Sequence, residues 1–421
     1  MPPMPRRWKT YLVVALAGVA LLYAFLLIPP VQSWIGWHVA SLRTRLNTWL
    51  RPPENIGFTA NVTPAGDLPL PTPLPQTTPQ ASLELPPLPE ECTLNGFTYY
   101  SQHYRSNFCG PANLAILLSY WGLLVTPDEL ALEIKPYKGD KNVMPYEMVD
   151  YINTFTSTRA LVRVGGDFEL IKRFIAAGFP VLIEKGPRFR DIQYRITWMG
   201  HYQVLTGYDD EKQTFIAQDS YIEANYQQSY EELLPEWRSF NYTYIIAYPP
   251  DKENDVLNLL GADADEDTNF RRALEKAGKE IPQLDGIDQF FAYYNYGTNL
   301  VSLRDYAGAA KAYDQAFVLY DALPVQGTVR PYRILWYQTG PYFAYYYTGR
   351  YADVVKIATV NSIEMVRDDE PALEEAYYWR GLARVKLGER DAAAEDFTSC
   401  LTYHPGFTPC QTELNNLGIF P

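Results

Sequence analysis

The chain has 421 residues, enough for two or three domains of ordinary size. Hydrophobic residues make up 47% of it and aromatic residues 15%, which indicates packed domains rather than disorder over most of the length. The formal net charge of -13 excludes the basic surface that phosphate backbones require, so we expect no nucleic-acid partner. The four cysteines are too few and too scattered for a disulfide framework or a paired zinc-ligand pattern, so we predict no metal site.

The N-terminal end of the chain predicts a membrane anchor. Residues 11–28 carry no charge and no proline, and as a helix they would cover about 27 Å, close to the thickness of the hydrocarbon core of a bilayer. Arg6, Arg7 and Lys9 precede the segment and predict a cytoplasmic N-terminus with the rest of the chain outside the cytoplasm. The alternative is a cleaved signal peptide, but two prolines follow the apolar run in place of a small-residue cleavage site. We therefore expect residues 1–30 to be a cytoplasmic tip and a retained, single-pass anchor in the cell membrane.

Two segments without a packed core follow the predicted anchor. Residues 31–51 alternate tryptophan, leucine and arginine at helical spacing and predict an amphipathic helix, which lies on the membrane surface or packs on the next domain. Residues 52–90 are crowded with proline and threonine and predict a semi-extended linker. The linker would hold the next domain away from the bilayer.

Cys109 is the candidate nucleophile. It precedes Gly110 and Pro111, and the apolar residues that follow recur at helical spacing until Gly122. The pattern places Cys109 at the N-terminus of a helix, where the helix dipole favours the thiolate. The alternative is that Cys109 is simply a small buried hydrophobic residue.

His201 and Asp219 are the candidate partners of that thiol. Residues 201–208 and 213–219 predict a β-hairpin, and a three-residue loop would place His201 directly opposite Asp219. A carboxylate on one ring nitrogen leaves the other nitrogen for the thiol. The alternatives are a structural histidine at position 201, a turn-forming aspartate at position 219, and His103 as a competing base.

The motifs resemble those of a known family. They are Gln102, the run Cys109-Gly110-Pro111, His201 with Val204 and Gly207-Tyr208, and Asp219. This set is similar to the bacteriocin-leader (double-glycine) cysteine peptidases of the papain superfamily. The resemblance implies an α+β papain-like domain over residues 91–249 that works without a cofactor. It departs from the family at Ser220, where relatives usually have proline, and the chain shows no Walker A pattern of an export transporter.

The resemblance also implies a role for each motif residue. Cys109 would be the nucleophile, His201 the general base and then the acid, Asp219 the orienting carboxylate, and Gln102 the oxyanion donor. The implied activity is hydrolysis of peptide bonds in a peptide or protein substrate. Two alternatives stay open: a catalytically silent scaffold that binds peptides, and an acyltransferase with the same residues.

The C-terminal half predicts helices. Residues 250–287 read as an acidic helical connector, and residues 288–421 contain a repeated pattern. The set Gly297, Ala309, Tyr313 and Ala316 recurs at the same relative spacing as Gly381, Ala393, Phe397 and Cys400. These units resemble tetratricopeptide repeats, which implies an all-α domain that binds a protein partner. A helical cap on the catalytic domain is the alternative, and a disulfide between Cys400 and Cys410 is left open.

Overall fold

The computed structural model describes most of the chain after the linker. The described residues are 86–103, 105, 107–136, 142–190, 196–324, 330–363 and 373–420, with residues 11, 14–19, 31, 42 and 46 ahead of them. The predicted anchor, amphipathic helix and linker therefore lie largely outside the described residues. Within the described part of the chain, no helix is both long and apolar enough to cross a membrane.

The first domain is built on a seven-stranded sheet with the order β2-β9-β3-β6-β7-β8, and β1 also pairs with β6. Its strands are β1 (Glu91–Thr93), β2 (Arg159–Arg163), β3 (Val181–Lys185), β6 (His201–Asp209), β7 (Thr214–Gln218), β8 (Tyr226–Ser229) and β9 (Tyr244–Tyr248). A separate two-stranded sheet, β4 (Arg188–Arg190) with β5 (Ile196–Trp198), lies between β3 and β6 in the chain. All the strand pairs are antiparallel.

Helices cover both faces of the large sheet. They are α1 (Cys109–Tyr120), α2 (Pro127–Ile134), α3 (Pro145–Phe155), α4 (Phe168–Ala176) and α5 (Tyr230–Arg238). Side chains alternate between the faces of a strand, so neighbouring residues of β3 enter different cores. Leu182 packs in the core with α1, α2 and α3, whereas Ile183 packs in the core with α4 and α5. The domain is therefore a mixed α/β structure of three layers.

The predicted start of the nucleophile helix is confirmed. Cys109 is the first residue of α1, and the turn after the helix contains Gly122 at φ +78°, a conformation that glycine adopts without strain. Most of α1 is buried, because the helix packs between the sheet and its neighbouring helices. Burial of its apolar residues, rather than a capping side chain, fixes the helix in place.

The rest of the described chain is helical. Its α-helices are α6 (Glu253–Leu260), α7 (Glu266–Glu280), α8 (Gly286–Ser302), α9 (Tyr306–Ala322), α10 (Ile334–Tyr337), α11 (Gly340–Tyr347), α12 (Tyr351–Ala358), α13 (Glu374–Leu387), α14 (Arg390–Tyr403) and α15 (Thr408–Asn416). A disulfide joins Cys400 of α14 to Cys410 of α15. The all-α expectation is confirmed for this region, whereas the tetratricopeptide assignment stays a prediction.

The two matching sets of residues form similar helix pairs. A Cβ added to Gly297 of α8 would lie 2.9 Å from the ring of Tyr313 in α9. A Cβ added to Gly381 of α13 would lie 2.5 Å from the ring of Phe397 in α14. In both pairs, glycine lets an aromatic ring of the second helix pack directly on the backbone of the first.

The first domain and the helical region share one core. Trp198 is 1% exposed and its ring lies 5.4 Å from Phe240 and 5.7 Å from Phe291 of α8. Polar contacts flank these rings, since Arg238 binds Asp288 at 3.0 Å and the side-chain amide of Asn241 donates to Asn299 at 2.8 Å. The helical region therefore packs on the domain as a continuation of its interior.

We expect Trp198→Ala to destabilise both parts of the protein together. Loss of a buried tryptophan typically costs about 3–5 kcal/mol, because a cavity replaces its contacts. Chemical unfolding followed by circular dichroism and tryptophan fluorescence should show one earlier, coincident transition. The matched control is Leu124→Ala, whose side chain is 71% exposed and should leave the transition unchanged. A loss below about 1 kcal/mol, or separate transitions, would contradict a shared core.

Candidate active site

The start of α1 is tied to the central strand β6. The side-chain amide of Asn113, 0% exposed, donates to the carbonyl oxygen of Cys109 at 3.0 Å and to that of Tyr202 at 2.7 Å. Cys109 is partly buried and is a free thiol. These bonds hold the thiol beside the first residues of β6, where His201 lies.

His201 and Asp219 form a buried pair. His201 Nε2 lies 2.8 Å from Asp219 Oδ1, and the two residues are 2% and 0% exposed. The same oxygen accepts the backbone N–H groups of Tyr221 at 2.9 Å and Ile222 at 3.1 Å. The carboxylate therefore occupies Nε2, and Nδ1 is the ring nitrogen left for Cys109.

The predicted hairpin register is wrong. The sequence predicts a three-residue loop with His201 directly opposite Asp219, but in the structure Asp209 pairs with Thr214 and the turn is one residue longer. If this pairing continued without interruption to the start of β6, the side chain of Asp219 would lie on the opposite face of the sheet from His201. Neighbouring residues of a strand point to opposite faces, so a change of register by one residue moves a side chain to the other face.

A β-bulge restores the contact between the two residues. The register shifts between Leu205 and Gly207, so Thr206 is an extra residue in β6. One extra residue reverses the face a second time, and His201 and Asp219 come to lie on the same side of the sheet. The sequence prediction missed both the longer turn and the bulge, and their effects on the side-chain face cancel. The predicted face is therefore correct, whereas the predicted pairing of His201 directly opposite Asp219 is not.

The environment of Cys109 favours the thiolate. Burial raises the pKa of the thiol, but the hydrogen bond to His201 and its positive charge lower the pKa, as do the backbone of Tyr202 and the charge of Lys135. The net pKa is below the ordinary value of a cysteine. Cys92, the other free cysteine, has a raised pKa because of its burial. The pKa values of the two free thiols are therefore shifted in opposite directions.

The same pair stabilises the imidazolium. Burial lowers the pKa of His201, but the charge and hydrogen bond of Asp219, together with Cys109, raise it to about 9. Burial raises the pKa of Asp219, whereas His201 and Lys185 lower it to about 2. The thiolate and imidazolium forms thus coexist between the lowered pKa of Cys109 and the raised pKa of His201.

Gln102 is held by the residue that follows Asp219. The Ser220 hydroxyl donates to Gln102 Oε1 at 2.7 Å, and the backbone N–H of Gln102 donates to the Ser220 carbonyl at 2.9 Å. Asn113 donates to the Ser220 hydroxyl at 2.8 Å. Because Oε1 of Gln102 accepts the Ser220 hydroxyl, Nε2 of the same amide does not face that hydroxyl and remains a hydrogen-bond donor. Serine at position 220 thus supplies a contact that the ring of proline lacks.

A buried cation lies behind Asp219 and was not singled out by the sequence. Lys185 is 1% exposed, and its Nζ lies 3.8 Å from Asp219 Oδ2, 3.3 Å from Glu236 and 2.9 Å from Gln228 Oε1. One feature of the sequence could have indicated this cation. Lys185 ends the apolar run of β3, and a lysine buried there requires a partner of opposite charge.

A second buried acid lies near the thiol. Glu184, 5% exposed, is paired in register with Tyr202, and burial raises the pKa of its carboxyl well above the ordinary value. Burial therefore favours the protonated, neutral form of this carboxyl. The charge of the Cys109 thiolate also raises this pKa.

The helical region reaches the site through Tyr337. Burial raises the pKa of the Tyr337 hydroxyl, and the backbone N–H of Gly200, next to His201, partly offsets this effect. A Cβ on Gly200 would lie 2.7 Å from the Tyr337 ring. Arg333 strengthens the contact by donating to Thr197 at 3.1 Å. The sequence interpretation missed this contribution, because it joins residues from different domains.

The competing histidine does not replace His201 in the buried pair. His103 is exposed, and its ring lies 5.3 Å from that of Tyr221. Among the described residues, no group of three or more histidine, cysteine, aspartate or glutamate side chains is arranged to hold a metal ion.

A cysteine at a helix start with a buried histidine and carboxylate has the parts of a cysteine hydrolase. Residues 94–245 match the family described as Peptidase_C39 like, which confirms the resemblance for this part of the chain. A solved structure of a putative C39-like peptidase from Bacillus anthracis is 20% identical, with a TM-score of 0.31, and the match covers 38% of this chain and 98% of that one. No protein with a curated description matches the chain.

We expect Lys185→Met to raise the pKa of His201 further, because loss of the cation near Asp219 leaves less positive charge opposing the imidazolium. Titration of the His201 ring by NMR checks the direction. Since one partner of a buried charge pair is removed, stability should also fall by about 3–5 kcal/mol. The control, Lys212→Met, removes an exposed lysine bound to Asp209 and should leave the titration unchanged. An unchanged or lower pKa of His201 in Lys185→Met would show that Lys185 is not coupled to the pair.

Proposed function

We propose that the protein is a cysteine peptidase in which Cys109 is the nucleophile, His201 the general base and acid, and Asp219 the orienting carboxylate. The observation that carries the proposal is the buried bond between His201 and Asp219 beside the start of the Cys109 helix. The match of residues 94–245 to the C39-like peptidases supports it. The substrate is a peptide or a protein, and no cofactor takes part.

The reaction begins at the thiolate–imidazolium pair. The Cys109 sulfur attacks the carbonyl carbon of a peptide bond and forms a tetrahedral intermediate. Nδ1 of His201 then gives its proton to the leaving amine, and the C–N bond breaks to leave a thioester on Cys109. Water, deprotonated by the now neutral His201, attacks the thioester and releases the acid. Asp219 holds the ring and its charge throughout.

Gln102 is the proposed oxyanion donor. The backbone N–H of Cys109 at the start of α1 is the second donor, since the first N–H groups of a helix lack partners within it. The Ser220 hydroxyl donates to the Gln102 oxygen, which leaves the amide nitrogen as the group that would donate to the oxyanion. The rigid bonds around Ser220 support a preorganised donor rather than one that must reorient during the reaction.

The proposed location is the outer face of the cell membrane. The apolar residues 11–28 would be a single-pass anchor, and the basic residues before them favour a cytoplasmic N-terminus. The disulfide between Cys400 and Cys410 supports an oxidising compartment for the helical region. The proline-rich residues 52–90 would then separate the catalytic domain from the bilayer.

The helical region is proposed to bind a protein partner or the substrate chain through tetratricopeptide-like repeats. The matching contacts of Gly297 with Tyr313 and Gly381 with Phe397 support a repeated helix pair. Its shared core with the first domain supports a fixed position relative to the site. A substrate held by the helices would therefore be presented to Cys109 in one orientation.

The full-length protein, incubated with a diverse peptide mixture and followed by mass spectrometry, should release cleaved peptides with new N-termini. Cys109→Ala should reduce the rate at least about 1,000-fold with an unchanged melting temperature. Cys92→Ala is the matched control and should keep its activity. An added amine separates hydrolysis from acyl transfer, since a transferase would join the amine to the new carboxyl end. Cleavage that persists in Cys109→Ala would refute the proposed nucleophile.

A further inference from the structure

Two aromatic rings lie close to the ring of His201. The Phe189 ring of β4 meets the His201 ring edge-on, with centroids 5.2 Å apart, and stacks on Tyr221 at 4.4 Å. Tyr221 also lies 6.3 Å from His201, and both aromatic residues are partly exposed. We call Phe189 and Tyr221 the aromatic platform.

Both rings are attached to the segments that carry the site. Phe189 pairs in register with Thr197 of β5, the short strand that leads directly to His201. Tyr221 donates its backbone N–H to the same Asp219 oxygen that contacts His201. The platform therefore keeps a fixed position relative to the imidazole.

The proposed reaction determines which part of a substrate lies near these rings. His201 must give its proton to the leaving amine, so the leaving amine must lie within hydrogen-bonding distance of the imidazole. The side chain of the residue after the cleaved bond branches from the α-carbon that is bonded to that amine nitrogen. It therefore extends into the surroundings of His201, on the side away from the thioester that remains on Cys109.

We propose that the aromatic platform binds the side chain of the residue that follows the cleaved bond, and that it selects an aromatic or large aliphatic side chain there. This inference rests on the proposed peptidase function and adds a substrate class to it. Partly exposed rings gain by covering apolar surface, and aromatic side chains add favourable edge and stacking contacts. A carboxylate at that position would gain neither contact and would lose part of its hydration against the two rings.

The test is a peptide library in which only the residue after the cleaved bond varies, digested by the full-length protein and read by mass spectrometry. We expect phenylalanine, tyrosine, leucine and methionine to exceed glycine and aspartate at this position by about tenfold or more in kcat/KM, the factor typical of one apolar contact. Phe189→Ala should remove most of that preference. Phe155→Ala, which changes a 60% exposed phenylalanine of α3, is the matched control and should retain it.

Labelling of Cys109 with iodoacetamide separates the outcomes. We expect Phe189→Ala to label at the rate of the unmodified protein, because the reagent has no residue to place on the platform. Slower labelling together with a general loss of cleavage would show that the ring supports His201 instead, which overturns the inference. If the unmodified protein cleaves the library without preference for the residue after the cleaved bond, the inference about the aromatic platform is overturned, whereas the peptidase proposal stands. Absence of all cleavage, with normal labelling, would reject both.

Discussion

The buried hydrogen bond between His201 and Asp219 is the contact on which the proposed chemistry depends. Without the carboxylate, burial would favour the neutral imidazole, and the Cys109 thiol would lose the cation that lowers its pKa. A buried carboxylate needs compensation of its own, which two backbone N–H groups and Lys185 provide. The site is therefore a line of alternating charges from Cys109 to Lys185, and each group is stabilised by the next.

The sequence was sufficient for the local parts of this arrangement. The helix start at Cys109 follows from the residues around it, and the face shared by His201 and Asp219 was predicted correctly. The register behind that face was wrong, because the turn is one residue longer than predicted and the bulge adds Thr206 to β6. Lys185 was missed for a related reason. Its partners come from β8, α5 and the end of β7, which only the folded sheet brings together.

The relation between the two domains was not predictable from the sequence. Residues 250–287 were interpreted as a connector, but α7 lies against the first domain, with Lys276 over the ring of Tyr242 at 3.4 Å. Trp198, two residues before Gly200, packs in the core of the helical region, and the Tyr337 ring of that region lies against Gly200. The helices therefore support the segment that leads to His201. A role in partner binding would add to this structural role.

The rate of Cys109 labelling by iodoacetamide as a function of pH, in the unmodified protein and in His201→Ala, tests the central claim most directly. Cys92 provides an internal comparison, because it is free and burial raises its pKa. The account predicts fast labelling of Cys109 below pH 7, slow labelling of Cys92, and loss of the fast reaction at Cys109 in His201→Ala. Labelling of Cys109 only near the pH of an ordinary thiol, about 8.5, with no effect of His201→Ala, would contradict the proposed ion pair.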